Sequence, residues 1–115
     1  MLILEKKIKR EELQNIEGDT FFNDMIKCVV DTEKELIAVN AELHSDLEQL
    51  LLDKGSKQEN LYGFNIYFDD DEIEFSSMIN IPRNREAGYP RGGMILVDEK
   101  AKDKISQVTS KWIEM

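Results

Sequence analysis

Leu61-Tyr62-Gly63-Phe64-Asn65-Ile66-Tyr67-Phe68 puts Tyr62, Phe64, Ile66 and Phe68 on one side and Gly63, Asn65 and Tyr67 on the other. A period of two is the signature of a strand. After the acidic run Asp69-Asp70-Asp71-Glu72, residues Ile73, Phe75, Ser77, Ile79 and Ile81 alternate with Glu74, Ser76, Met78 and Asn80 until Pro82. Two alternating strands joined by a short charged turn predict an antiparallel hairpin, ended where proline removes a ladder donor.

Upstream the period changes. Leu43, Leu47, Leu50 and Leu51 fall at i, i+4, i+7 and i+8, one face of a helix over residues 42 to 54, with Gly55 as its stop. Before it, residues 26 to 31 and Leu36-Ile37-Ala38-Val39-Asn40 are β-branched or apolar, and residues 32 to 35 fit a tight turn, so a first hairpin is expected. Leu2 to Glu5 reads as a short strand. Residues 10 to 16 read as a short helix with two acids in its first turn, stopped by Gly18. Downstream, Asp98 caps a last helix with Ala101, Ile105, Val108 and Trp112 along one stripe. The order strand, helix, hairpin, helix, hairpin, helix contains no repeated βαβ unit. It predicts an α+β fold: a mainly antiparallel sheet of about five strands with three helices packed mostly on one face.

The 115 residues form a single domain in this reading, because a 13.4 kDa chain buries enough surface for one core and not two. With 41% hydrophobic and 34% charged residues, neither a disordered chain nor a membrane protein is expected. The 24 acids against 15 Lys and Arg leave a net charge of −9, which argues against nucleic acid and anionic lipid as partners. The apolar start Met1-Leu2-Ile3-Leu4 meets Glu5-Lys6-Lys7 at once, too short for a signal-peptide core. The single Cys28 lies in an apolar run and reads as a buried small hydrophobe, and one cysteine suits a reducing compartment. A cytoplasmic protein is the expectation.

The combination of Val30-Asp31, Glu42-Leu43-His44, Asp46, Glu48, Leu50-Leu51-Leu52, the run from Gly55 to Tyr67, and Ser77-Met78-Ile79-Asn80-Ile81 resembles a family of short, uncharacterised prokaryotic proteins. The resemblance covers nearly the whole chain and implies a domain of unknown function, with no activity or catalytic residues to carry over. It implies a glycine in the first hairpin turn, where this chain has Glu35, and a Ser or Pro helix opening, where it has Lys9. A non-glycine at positive φ costs about 1 kcal/mol. The loop from Arg83 to Gly93 also departs from the family's wording.

Several polar groups could carry chemistry. His44 and Glu48 stand at i and i+4 near the start of the leucine-rich helix, a spacing that chelates a divalent metal. With no second His and no third ligand nearby, no metal and no cofactor are expected, and His44 reads as a boundary residue bonded to a neighbour. Ser56-Lys57-Gln58-Glu59-Asn60, followed by Gly63, fits either a polar ligand or a connection that satisfies its own backbone. Asp69 to Glu72 lacks the glycine and terminal Glu of a calcium loop and reads as a solvated turn. Arg83, Arg85 and Arg91 are three of the four arginines, gathered between Pro82 and Gly93 with only Glu86 opposing them. With Asn84 beside them, they would suit a small anion or an acidic partner surface.

Two functional expectations follow. The first is a non-catalytic module that associates with itself, as a homodimer, or with another protein. It would use the half-polar face of the second hairpin (Asn65, Tyr67, Ser76, Met78, Asn80) and the arginine loop. The second is a small ligand-binding protein or enzyme for an anionic metabolite, with a polar site around His44, Gln58, Asn60, Asn65, Asn80 and Arg83. No diagnostic catalytic motif favours the second.

Overall fold

The computed structural model describes residues 1–18, 20–68, 73–76 and 99–114. Along the chain come β1 (Leu2–Ile3), β2 (Ile8–Lys9), a 3₁₀ segment Arg10–Gly18, β3 (Met25–Asp31) and β4 (Leu36–Val39). There follow α1 (His44–Asp53), a 3₁₀ turn Gln58–Asn60, β5 (Leu61–Tyr67), β6 (Ile73–Ser76), α2 (Glu99–Trp112) and β7 (Ile113–Glu114). The first five-stranded sheet has the order β1-β4-β3-β5-β6 with every neighbouring pair antiparallel. Separately, β2 and β7 pair in parallel, Ile8 opposite Ile113 and Lys9 opposite Glu114. The fold is α+β, as the periodicities predict.

Register assigns every side chain to a face. Cys28 lies opposite Phe64 on one flank and Val39 on the other, and Val30 opposite Tyr62 and Ile37. These residues form the larger core with Ile26, Ile66, Leu13 and the stripe Ala101, Ile105 and Val108 of α2. Val29, Ala38 and Leu61 point the other way and meet Leu47 and Leu51 of α1. Thus the 3₁₀ segment and α2 share one face, while α1 takes the opposite one. The half-polar face of the second hairpin is therefore not left wholly bare: α1 lies over it at Gly63, and Asn65 is buried. Periodicity identifies a helix's apolar stripe; it does not say which side of a sheet the stripe meets.

The helix boundary explains one departure. Leu43 has extended backbone (φ −126°) and stands just before α1, so it leaves the predicted stripe and is 56% exposed. In the first hairpin turn Glu35 takes φ 56°, the left-handed conformation for which the resemblance implies glycine. Its carbonyl accepts the Trp112 indole N–H at 2.7 Å, and its carboxylate lies 4.0 Å from Lys104 and 3.9 Å from Lys111. The strained turn is tied directly to α2.

Candidate functional site

His44 opens α1 and is 7% exposed. Its ring lies flat against the strand at Gly63, where an added Cβ would come within 3.1 Å of His44 Cδ2. Its Nε2 is 3.1 Å from the Phe64 carbonyl oxygen. A carbonyl only accepts, so Nε2 carries a proton and donates. The ring is thus anchored to β5, the boundary role its position on the helix suggests. Asn65 is also buried and shares the Gly63 face of β5, so His44 and Asn65 lie on one side of the sheet.

Gln58 and Asn60 lie just before β5, where Asn60 serves the first hairpin and Gln58 reaches α1. Asn60 Nδ2 donates to Glu33 at 2.6 Å, and its carbonyl accepts the Thr32 N–H at 2.9 Å and the Thr32 hydroxyl at 3.2 Å. Gln58 Nε2 donates to Glu48 at 3.4 Å. The centre of this end is Asp31, fully buried, which the pattern reading did not single out. Asp31 Oδ1 accepts the backbone N–H groups of Glu33 and Lys34, each at 2.9 Å, and Oδ2 accepts the Ser56 hydroxyl at 2.6 Å. An Asp at the end of a strand, immediately before a turn, is the signal that could have exposed this Asx-turn. Lys34 Nζ completes the clamp by donating to the Gly55 carbonyl at 3.0 Å.

Asn80, Arg83, Asn84, Arg85 and Arg91 lie outside the described residues, as do the acidic run 69–72, Ser77 and Met78. Among the described residues, no three His, Cys, Asp or Glu side chains are grouped to hold a metal ion. None of the described helices is long and apolar enough to cross a membrane. Cys28 is fully buried, and burial pushes its thiol far up.

A concave place lies at the outer edge of β1. A groove of about 1030 Å³ has Met1 to Lys6 along its floor, Ile8, Glu12, Asn15 and Ile16 on one wall, and Leu50 and Lys54 on the other. The walls come from the two layers that sandwich the sheet: Leu2, Leu4 and Ile16 belong to the larger core, Ile3 and Leu50 to the smaller. Among the described residues the groove therefore occupies the next strand position of the sheet, between the layers. Its hydrogen-bonding pattern follows from one contact. Leu4 N–H donates to the Ile37 carbonyl at 3.0 Å, so Leu4 and Leu2 face β4 with their backbone groups. Alternation then turns the N–H and C=O of Ile3 outward into the groove. Among the described residues these outward groups make no hydrogen bond.

At one end of the groove the Met1 amine contacts Glu17 Oε1 at 2.6 Å, and Asn40 Nδ2 donates to the same oxygen at 3.2 Å. Glu17 and Asn40 both have positive φ, 55° and 72°. The amine and the Asn40 amide hold the Glu17 carboxyl below its ordinary range, against a smaller upward push from burial.

The model of the family described as protein of unknown function (DUF5674) matches residues 2–112. No curated protein and no solved structure matches the chain.

Proposed function

We propose that this chain, which belongs to the DUF5674 family of proteins of unknown function, is a cytoplasmic interaction module that accepts an added β-strand along the outer edge of β1. The observation that carries the reading is the outward Ile3 N–H and C=O on the floor of the 1030 Å³ groove. Main-chain pairing supplies affinity in such sites, and side-chain pockets on alternate faces supply selectivity. Here the side chain opposite Ile3 would meet Leu50, and those opposite Leu2 and Leu4 would meet Ile16 and Ile8. The chemistry-bearing side chains support a non-catalytic role: His44, Asp31, Gln58 and Asn60 bond within the chain, and Cys28 is fully buried. The arginine loop around Arg83, Arg85 and Arg91 stands as a second proposed contact, for a small anion or an acidic surface, on its sequence alone.

The alternative, a polar ligand site, has one observation behind it, the placement of His44 and Asn65 on one face. Asn60 is drawn instead to the first hairpin turn, and Gln58 to Glu48 of α1.

The test is a titration with a short synthetic peptide of alternating aliphatic and polar residues, followed by backbone amide shifts. Saturable shifts confined to residues 1 to 6, Ile16 and Leu50 are expected. Shifts elsewhere, or none at these residues, would refute the reading.

A further inference from the structure

Resting on that reading, we infer that the strand received at the β1 edge is β1 of a second copy of this chain, paired antiparallel about a two-fold axis through Ile3. Ile3 is the outward-facing position of β1, and Met1 and Glu5 stand two residues to either side of it. An antiparallel partner with the same sequence, centred there, puts Ile3 of each copy opposite Ile3 of the other and Met1 opposite Glu5. Each Ile3 N–H then meets an Ile3 carbonyl, and Leu2 of one copy falls opposite Leu4 of the other. Leu2 thus meets Leu4 on one face and Ile3 meets Ile3 on the other without any change of register, with Glu5 and Met1 at the ends of the paired stretch. Lys6 and Lys7 limit the pairing to this short stretch, because charged residues next to an edge strand oppose extension.

Electrostatics selects the same partner. An isologous contact presses a surface against its own copy, so any net charge on it repels. The chain carries −9 overall, yet in the groove Glu5 and Glu12 stand against Lys6 and Lys54, and the Met1 amine is paired with Glu17, so the charges balance. This is a surface on which two such acidic molecules can meet. The two-fold also keeps each layer on its own side, so Leu50 of one copy and Leu50 of the other share one face of the joined sheet, and the two Ile16 side chains share the opposite one.

The experiment is the oligomeric state of the full chain by sedimentation equilibrium from micromolar to millimolar concentration, compared with Ile3→Pro and Glu5→Pro. Proline removes an N–H that the sheet does not use, and edge strands tolerate it there. Glu5 is exposed, so Glu5→Pro leaves packing untouched should Ile3→Pro fold poorly. Wild type is expected to be a dimer. Each substitution removes two N–H groups per dimer and is expected to weaken it about tenfold or more, with Trp112 fluorescence unchanged. A dimer that persists at equal affinity in both variants overturns the inference. A wild type that is monomeric throughout also overturns it, and the peptide titration then separates the two failures. If the peptide still shifts the β1 amides, the strand-accepting reading stands without self-pairing; if it does not, both fall.

Discussion

Asp31→Ala is the sharpest test of how the first hairpin is held. The carboxylate is fully buried and accepts three hydrogen bonds, two from the Glu33 and Lys34 backbone and one from Ser56. Removing it strands the Ser56 hydroxyl, which is buried, at about 1–2 kcal/mol. The turn N–H groups are only partly buried and regain water, so losing the Asx-turn costs roughly another 1–2 kcal/mol. The sum, about 3 kcal/mol, is a large fraction of the roughly 6–17 kcal/mol expected for a domain of this size. Asp31→Asn keeps an acceptor for the turn, and the Ser56 hydroxyl can rotate to accept from its amide, so this variant should cost about 1 kcal/mol. Ser56→Ala should cost about 2 kcal/mol, and the double variant should show coupling of about 1–2 kcal/mol. Urea denaturation followed by Trp112, the single tryptophan, measures all four. With a slope of about 1.5 kcal/mol/M, Asp31→Ala should lower the midpoint by about 2 M. A shift under about 0.5 M, or equal shifts for the Ala and Asn variants, would refute the argument.

Gly63→Ala should cost about 1–3 kcal/mol, because its methyl would meet the His44 ring at 3.1 Å. In a His44→Ala background most of that cost should vanish, and a double-mutant cycle of thermal melts checks it. Glu35→Gly should stabilise the protein by about 0.5–1 kcal/mol in chemical denaturation, since relief of the left-handed backbone outweighs two exposed ion pairs. For Glu17 the folded-state carboxyl titrates lower than in the unfolded chain, so its contribution is present above the ordinary value of 4.5 and is lost as pH falls below it. Glu17→Gln should therefore flatten the acid limb of a stability-against-pH curve, while an unchanged limb would contradict the Met1–Glu17 pairing.

Strands β3, β4 and β5 and both α-helices are legible because each carries its period in consecutive residues. Ile26 to Asp31, Leu36 to Val39 and Leu61 to Tyr67 fall within a residue of their expected bounds, and Ala101, Ile105 and Val108 are buried as predicted. The β2–β7 pair was not legible, since two residues at each end of the chain show no alternation and their partnership spans almost the whole sequence. The β1 groove escaped notice for a related reason. Leu2-Ile3-Leu4 announces a strand, but whether its outer edge is covered depends on where the 3₁₀ segment and α1 end in space. Of the candidate polar site, residue chemistry identified His44 as a boundary histidine. It does not predict that Asn60 bonds to the first turn and Gln58 to Glu48 of α1.

The parallel pairing of Ile8 with Ile113 also has a kinetic meaning. Closing a chain segment that long is entropically costly until intervening contacts have shortened it. The β2–β7 clasp is therefore expected to close late, after the hairpins and α2 have docked, and to be absent from the rate-limiting barrier to folding. Interactions of that kind leave the folding rate alone and set how slowly the native state opens. Two residues at either end thus act as a latch on the lifetime of the folded molecule.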